Sequence, residues 1–154
     1  MILFICTGNT CRSPLAAALA QAYGVDAQSA GLSADPGDVA TPEAVRAAKR
    51  HGADLSNHCV RNVQAYLMRE ASQVYAMTRD QEKTLHMRFP EYVEKIHLLN
   101  PSISDPFGGN DAVYEACAQK LLVAMHNAGI IPGLIHEENK WGNFTHACGA
   151  AKNQ

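Results

Sequence analysis

The residues best suited to chemistry lie in Cys6-Thr7-Gly8-Asn9-Thr10-Cys11-Arg12-Ser13, where a cysteine is followed after five residues by an arginine. Consecutive backbone N–H groups from Thr7 to Ser13 can curl into a nest for a dianion, and Gly8 is expected to take the unusual dihedral that such a nest needs. Arg12 adds a planar fork matched to two phosphate oxygens. The same positive surroundings stabilise negative charge on the Cys6 sulfur, and Ser13 can donate a hydrogen bond to it. These groups together describe a thiolate that attacks phosphorus and leaves a cysteinyl-phosphate, dividing hydrolysis into two displacements.

A cysteine and an arginine at this spacing also arise by chance, with Cys6 a structural thiol and Arg12 a solvated side chain. Placement makes the spacing informative. Ile2 to Ile5 is a continuous apolar run, as expected of a strand buried on both faces, and it leads directly into Cys6. Ser13-Pro14 reads as an N-cap and first-turn proline, opening an Ala-rich helix from Leu15 to Tyr23 that Gly24 stops. The dipole of that helix adds to the nest.

Further along, Ala27 to Ser29 reads as a weak strand, followed by a loop from Gly31 to Ala40. Thr41-Pro42-Glu43 repeats the cap, proline and acidic first turn, and Gly52 ends the helix they begin. Gln73 to Met77 and Lys95 to Leu99 read as strands with a helix over Arg79 to Arg88 between them. Asp111 to Asn127 is a last long helix, its apolar side carrying Val113, Cys117, Leu121 and Ala124. Strands alternating with helices predict an α/β fold: a small parallel four-stranded sheet covered on both faces, with ligands beyond the carboxyl ends of the strands, where Cys6 sits.

The chain has 154 residues, 47% hydrophobic and 18% charged, which suits one domain with an adequate core. Its formal charge of -2, from 13 Lys+Arg and 15 Asp+Glu, gives no electrostatic ground for a nucleic-acid or acidic-membrane partner. Five cysteines (Cys6, Cys11, Cys59, Cys117, Cys148) form no paired framework, and no stretch is long and apolar enough to cross a bilayer, so a cytoplasmic location is expected. The segment 129–154 reads as an appended tail of unassigned role. Its His136, His146 and Cys148 match no common zinc spacing, and Trp141 and Phe144 are candidates for packing on the domain.

The opening Ile2-Leu3-Phe4-Ile5-Cys6-Thr7-Gly8-Asn9-Thr10-Cys11-Arg12-Ser13-Pro14 closely resembles that of low-molecular-weight protein tyrosine phosphatases and of their bacterial protein arginine phosphatase branch. Ser29-Ala30-Gly31, Ala76-Met77-Thr78 and Asp105-Pro106-Phe107-Gly108-Gly109 follow in that family's order, so the resemblance spans residues 1–128. It implies Cys6 as nucleophile, Arg12 as phosphate ligand and Asp105 as general acid, with Phe107 beside it and no cofactor or metal. The role of Asp105 has a physical basis, since a departing phenolate or guanidine nitrogen leaves poorly unless protonated. The resemblance further implies that Asn9 steadies the loop through a serine, Ser13 or Ser29, and through His58. It also implies that Cys11 can form a reversible disulfide with Cys6.

The substrates so implied are phosphorylated proteins. Tyrosine-directed members usually place Ile or Leu where this chain has Thr10; Thr10, Thr7 and Asp-Pro-Phe-Gly-Gly look like the arginine-phosphatase branch, so phosphoarginine is favoured over phosphotyrosine. Ser33, where a bulky pocket wall is expected, counts the other way. A thioredoxin-coupled arsenate reductase needs two further cysteines that the stretch between Cys59 and Cys117 lacks. A non-catalytic phosphate-binding module would have no use for Cys6, Arg12 and Asp105 together. The residues give no reading of oligomeric state.

Overall fold

The computed structural model describes residues 1–132; His136, Trp141, Phe144, His146 and Cys148 lie outside the described residues. Four strands, β1 (Ile2–Cys6), β2 (Ala27–Gly31), β3 (Gln73–Ala76) and β4 (Ile96–Leu98), form one parallel sheet in the order β2-β1-β3-β4. β1 is central, and the register pairs Ile5 with Ala30 on one side and Ala76 on the other.

Among the described residues five α-helices connect and cover the sheet: α1 (Arg12–Ala22), α2 (Pro42–Arg50), α3 (Ala65–Glu70), α4 (Arg79–Arg88) and α5 (Asp111–Asn127). Side chains alternate across a strand, so Phe4 joins one core with Leu15, Leu19, Leu121 and Met125, while Leu3 and Ile5 join the other with Leu67, Met68, Val74 and Leu85. α1, α2 and α5 therefore cover one face and α3 and α4 the other. Beyond α5 the chain keeps to the core: Ile130 N donates to the Met125 carbonyl and Ile131 is buried.

Two helix starts work differently from each other. At α2 the Thr41 side chain accepts from Ala44 N at 3.3 Å, as the cap, proline and acidic pattern predicts. At α1 the N-cap is Cys11, with no side-chain cap, and Ser13 lies inside the first turn. The Ser13 hydroxyl is drawn instead to the Cys6 sulfur and Asn9, so the expected serine cap is overridden by the site. On α5, Cys117, Leu121 and Ala124 are buried as expected, together with Tyr114, Ala118, Leu122 and Met125, while Val113 is exposed, which corrects that one position of the apolar side.

Gly31 ends β2 where the chain passes against the loop after β1. A Cβ there would meet the Thr7 carbonyl at 2.6 Å and Ala34 Cβ at 2.9 Å, closer than a side chain tolerates. Past it, Leu32 N and Ser33 N donate to the Cys6 and Thr7 carbonyls, so β2 and the following residues support the loop from one side.

Candidate active site

The loop from Cys6 to Arg12 encloses a cavity of about 240 Å³ at the carboxyl end of β1, with Asp105 and Phe107 completing its lining. Strand β1 delivers Cys6 to the floor, where it is 2% exposed. Its sulfur lies 3.0 Å from Ser13 Oγ and accepts from Asn9 N at 3.3 Å. Asn9 Nδ2 donates to Ser13 Oγ at 2.9 Å, so the serine's own hydrogen goes either to the Cys6 sulfur at 3.0 Å or to the Ala30 carbonyl at 3.4 Å, and a sulfur anion draws it to sulfur.

Arg12 is the first residue of α1 and is buried, with Nη1 donating to the Ile103 carbonyl at 3.0 Å and Nη2 3.8 Å from Asp105 Oδ2. One neutral carbonyl and one long carboxylate contact leave most of the guanidinium fork for an anion in the cavity. Asp105 is more than half exposed at the rim, and its Oδ1 accepts from Phe107 N at 3.1 Å, a short Asp-Pro turn that holds one carboxylate oxygen. Phe107 stands exposed beside it.

Asn9 is fully buried with φ 57, so the left-handed residue of the loop is the asparagine and the expectation for Gly8 is corrected. Asparagine tolerates that region better than other side-chain-bearing residues, and here its side chain is also saturated with partners. Nδ2 donates to both Ser13 Oγ and Ser29 Oγ (3.0 Å), Oδ1 accepts from Arg61 N (3.0 Å), and the carbonyl lies 2.8 Å from His58 Nε2. The two serines between which the sequence left the choice open thus both serve. A carbonyl only accepts, so His58 carries a proton on Nε2. Burial, with Arg61 nearby, pushes the His58 pKa below its ordinary value even though the Asn9 carbonyl favours the protonated ring.

The sequence reading missed two partners. Gln81, buried on α4, donates from Nε2 to Thr7 Oγ1 at 3.1 Å while its Oε1 accepts from Met77 N and Thr78 N at 3.1 Å each. The capping box Thr78-x-x-Gln81 was visible as a pattern, but its reach to Thr7 was not. Tyr114 of α5 places its hydroxyl 3.2 Å from Cys11 Sγ, and burial raises the phenol's pKa so that it stays protonated. Thr10 is partly exposed, with its carbonyl accepting from Thr41 N at 3.0 Å and Oγ1 3.6 Å from Cys11 Sγ. Ser33 is exposed and is not among the residues lining the cavity. Burial pushes the Cys117 thiol up to about 12, which makes it an inert packing group. Among the described residues, no group of three or more His, Cys, Asp or Glu is placed to hold a metal ion, and no helix is long and apolar enough to cross a membrane.

A thiol at the floor of a loop that gives it the Asn9 N–H, an arginine fork at the loop's edge and a carboxylate beside that fork, all at the end of a central parallel strand, define a cysteine-dependent phosphatase. Residues 1–128 match the family described as "Low molecular weight phosphotyrosine protein phosphatase". Over 133 residues the chain is 36% identical to the "Protein-arginine-phosphatase" of Bacillus subtilis (strain 168), covering 78% of this chain and 88% of that protein. It is 34% identical over 122 residues to the "Low molecular weight protein-tyrosine-phosphatase Wzb" of Salmonella typhi, covering 75% and 82%. A solved structure of YwlE arginine phosphatase, a cysteine-to-serine mutant whose active-site serine is phosphorylated, superimposes with a TM-score of 0.76 at 33% identity, covering 82% of this chain and 91% of that one. The chain belongs to the low-molecular-weight protein tyrosine phosphatase family and is a cysteine-dependent protein phosphatase.

Proposed function

We propose that Cys6, Arg12 and Asp105 carry the reaction and that its preferred substrate is phosphoarginine on proteins. The observation that carries this reading is one cavity in which Cys6, Arg12 and Asp105 meet around the loop from Cys6 to Arg12. In the first displacement the Cys6 thiolate forms an S–P bond while the P–O or P–N bond to the substrate breaks, and Asp105 gives its proton to the departing atom. In the second, water attacks phosphorus, Asp105 takes a proton from that water, and the S–P bond returns its electron pair to Cys6. Arg12 and the loop N–H groups hold the equatorial oxygens through both steps, stabilising charge where it develops. Thr7, Gly8, Thr10, Cys11 and Ser13 belong to this cradle, and Ser29 and His58 position it through Asn9. Residues 1–128 form the catalytic domain in this reading, and residues 129–154 have no assigned role in it.

Support for phosphoarginine is chemical. A phosphoarginine guanidinium carries N–H donors close to phosphorus, and a hydrocarbon at the rim leaves them unpaired at a cost of about 1–3 kcal/mol. The Thr10 hydroxyl and the Asp105 carboxylate lie on the same cavity and are acceptors. The relative named as a protein-arginine-phosphatase agrees with this preference, while Wzb marks phosphotyrosine as the alternative. Free thiols at Cys6, Cys11, Cys59 and Cys117 support a reducing, cytoplasmic setting.

The test is kcat/KM on phosphoarginine and phosphotyrosine peptides for the natural chain and for Thr10→Ile. The natural chain should prefer phosphoarginine. The substitution keeps the branched β-carbon and removes the acceptor, so phosphoarginine turnover should fall about 10- to 100-fold while phosphotyrosine turnover holds or rises. A ratio that does not move toward phosphotyrosine removes Thr10 as selector.

A further inference from the structure

A second concavity, of about 350 Å³, opens on the far side of the phosphate loop, between α1, β2 and the residues around His58. Its size is at the lower end for small-molecule sites. Ala17, Ala18 and Leu55 give it an apolar wall, and Gln28, Asn57 and Arg61 a polar one. Arg61 Nε donates to the Ser29 carbonyl at 3.0 Å and Nη2 to Gln28 Oε1 at 2.5 Å, both neutral acceptors. Among the described residues no carboxylate pairs with this guanidinium. A partly buried cation fixed by neutral groups beside an apolar wall is complementary to a small organic anion.

What distinguishes the cleft is its position relative to Asn9. Ser29, His58 and Arg61 all line it, and they are the residues that hold Asn9 from outside the loop, at Nδ2, at the carbonyl and at Oδ1 respectively. Asn9 in turn donates its own N–H to the Cys6 sulfur and steers Ser13. A ligand against these three residues therefore shares its partners with the cradle of the phosphate.

We infer that this cleft is a second ligand site, for a small organic anion with an apolar body, and that its occupancy is coupled to phosphate binding at the loop. The binding half of this inference stands without the phosphatase reading. The coupling half uses inorganic phosphate as the loop ligand and needs no turnover, so either can fail without the other reading.

Benzoate is a suitable probe, with benzamide as its neutral isostere, titrated into the full 154-residue chain with amide NMR shifts as readout. Benzoate should shift the signals of His58, Cys59 and Arg61 saturably, and benzamide should bind at least about tenfold more weakly. Asn57 is exposed on the cleft and takes no part in the cradle; Asn57→Glu puts a carboxylate where the anion would sit. That variant should keep its phosphatase activity and lose the benzoate shifts. Saturating inorganic phosphate should change the benzoate Kd by about fivefold, the low end of measured couplings between sites, and benzoate should change the phosphate Kd by the same factor. The site is overturned by an absence of shifts up to about 20 mM, a generous ceiling for a fragment-sized ligand. It is equally overturned by shifts confined to residues 6–13 that phosphate abolishes, or by binding that survives Asn57→Glu. A benzoate Kd unmoved by phosphate overturns the coupling.

Discussion

The two sides of the active site are built to opposite standards. The base of the phosphate loop is buried and cross-linked: Cys6, Asn9, Arg12 and Ser13 are nearly inaccessible, and Asn9 alone is held by Ser13, Ser29, Arg61 and His58. The Asp105 rim is exposed, with Phe107 72% accessible and the carboxylate steadied by one turn bond and a 3.8 Å contact to Arg12. Stabilising a trigonal phosphoryl group requires donors already in place, whereas a proton donor must meet leaving groups of different shape. The loop therefore carries the preorganisation, and the rim carries adaptability.

The largest effect separating the two sides should come from the loop. Cys6→Ser and Arg12→Lys should each lower kcat/KM by more than about 1,000-fold while circular dichroism shows the fold intact, because a hydroxyl is a poor nucleophile and a point charge cannot supply the fork. Substantial activity in Cys6→Ser would remove the covalent mechanism. Asp105→Ala should cost about 100-fold on a poor leaving group and far less on an activated aryl phosphate such as p-nitrophenyl phosphate. Equal losses on both would make Asp105 a structural turn residue.

Smaller effects test the rigidity of the loop itself. Gly31→Ala forces a methyl against the Thr7 carbonyl, so it should destabilise the fold by about 1–3 kcal/mol in urea unfolding and weaken phosphate binding with it. An unchanged midpoint would mean that the loop yields freely. The least effect is expected from acid. Burial lowers the His58 pKa in the folded chain, so the unfolded chain binds more protons below its ordinary value near about 6.5. This contribution to stability is present above that pH and is lost as pH falls through the folded value. His58→Gln should therefore show a shallower decline of Tm between about pH 7 and 5 than the natural chain.

Much of this architecture was legible because local signals agreed with the final packing. The apolar run into Cys6, the Thr41-Pro42 start and the span of α4 all appear where propensity and capping place them. The short α3 has no side-chain cap, and its Leu67 and Met68 are buried by tertiary packing, so nothing local announces it. The reassigned Ser13 and the left-handed Asn9 are places where the site overrides local preference. Gln81 and Tyr114 reach their loop partners across 74 and 103 residues of chain, a distance over which no spacing rule operates.

The central claim is that phosphorus passes through Cys6, and the most direct measurement is to trap it there. Asp105→Ala, mixed with p-nitrophenyl phosphate and quenched in acid within milliseconds, removes the base for the second displacement while leaving an activated first one. Peptide mass spectrometry of the quenched protein should find one phosphate on the peptide containing Cys6, appearing with the burst of p-nitrophenol and absent from Cys6→Ser. A burst without phosphate on that peptide, or phosphate on another residue, would contradict the assignment of Cys6 as the nucleophile.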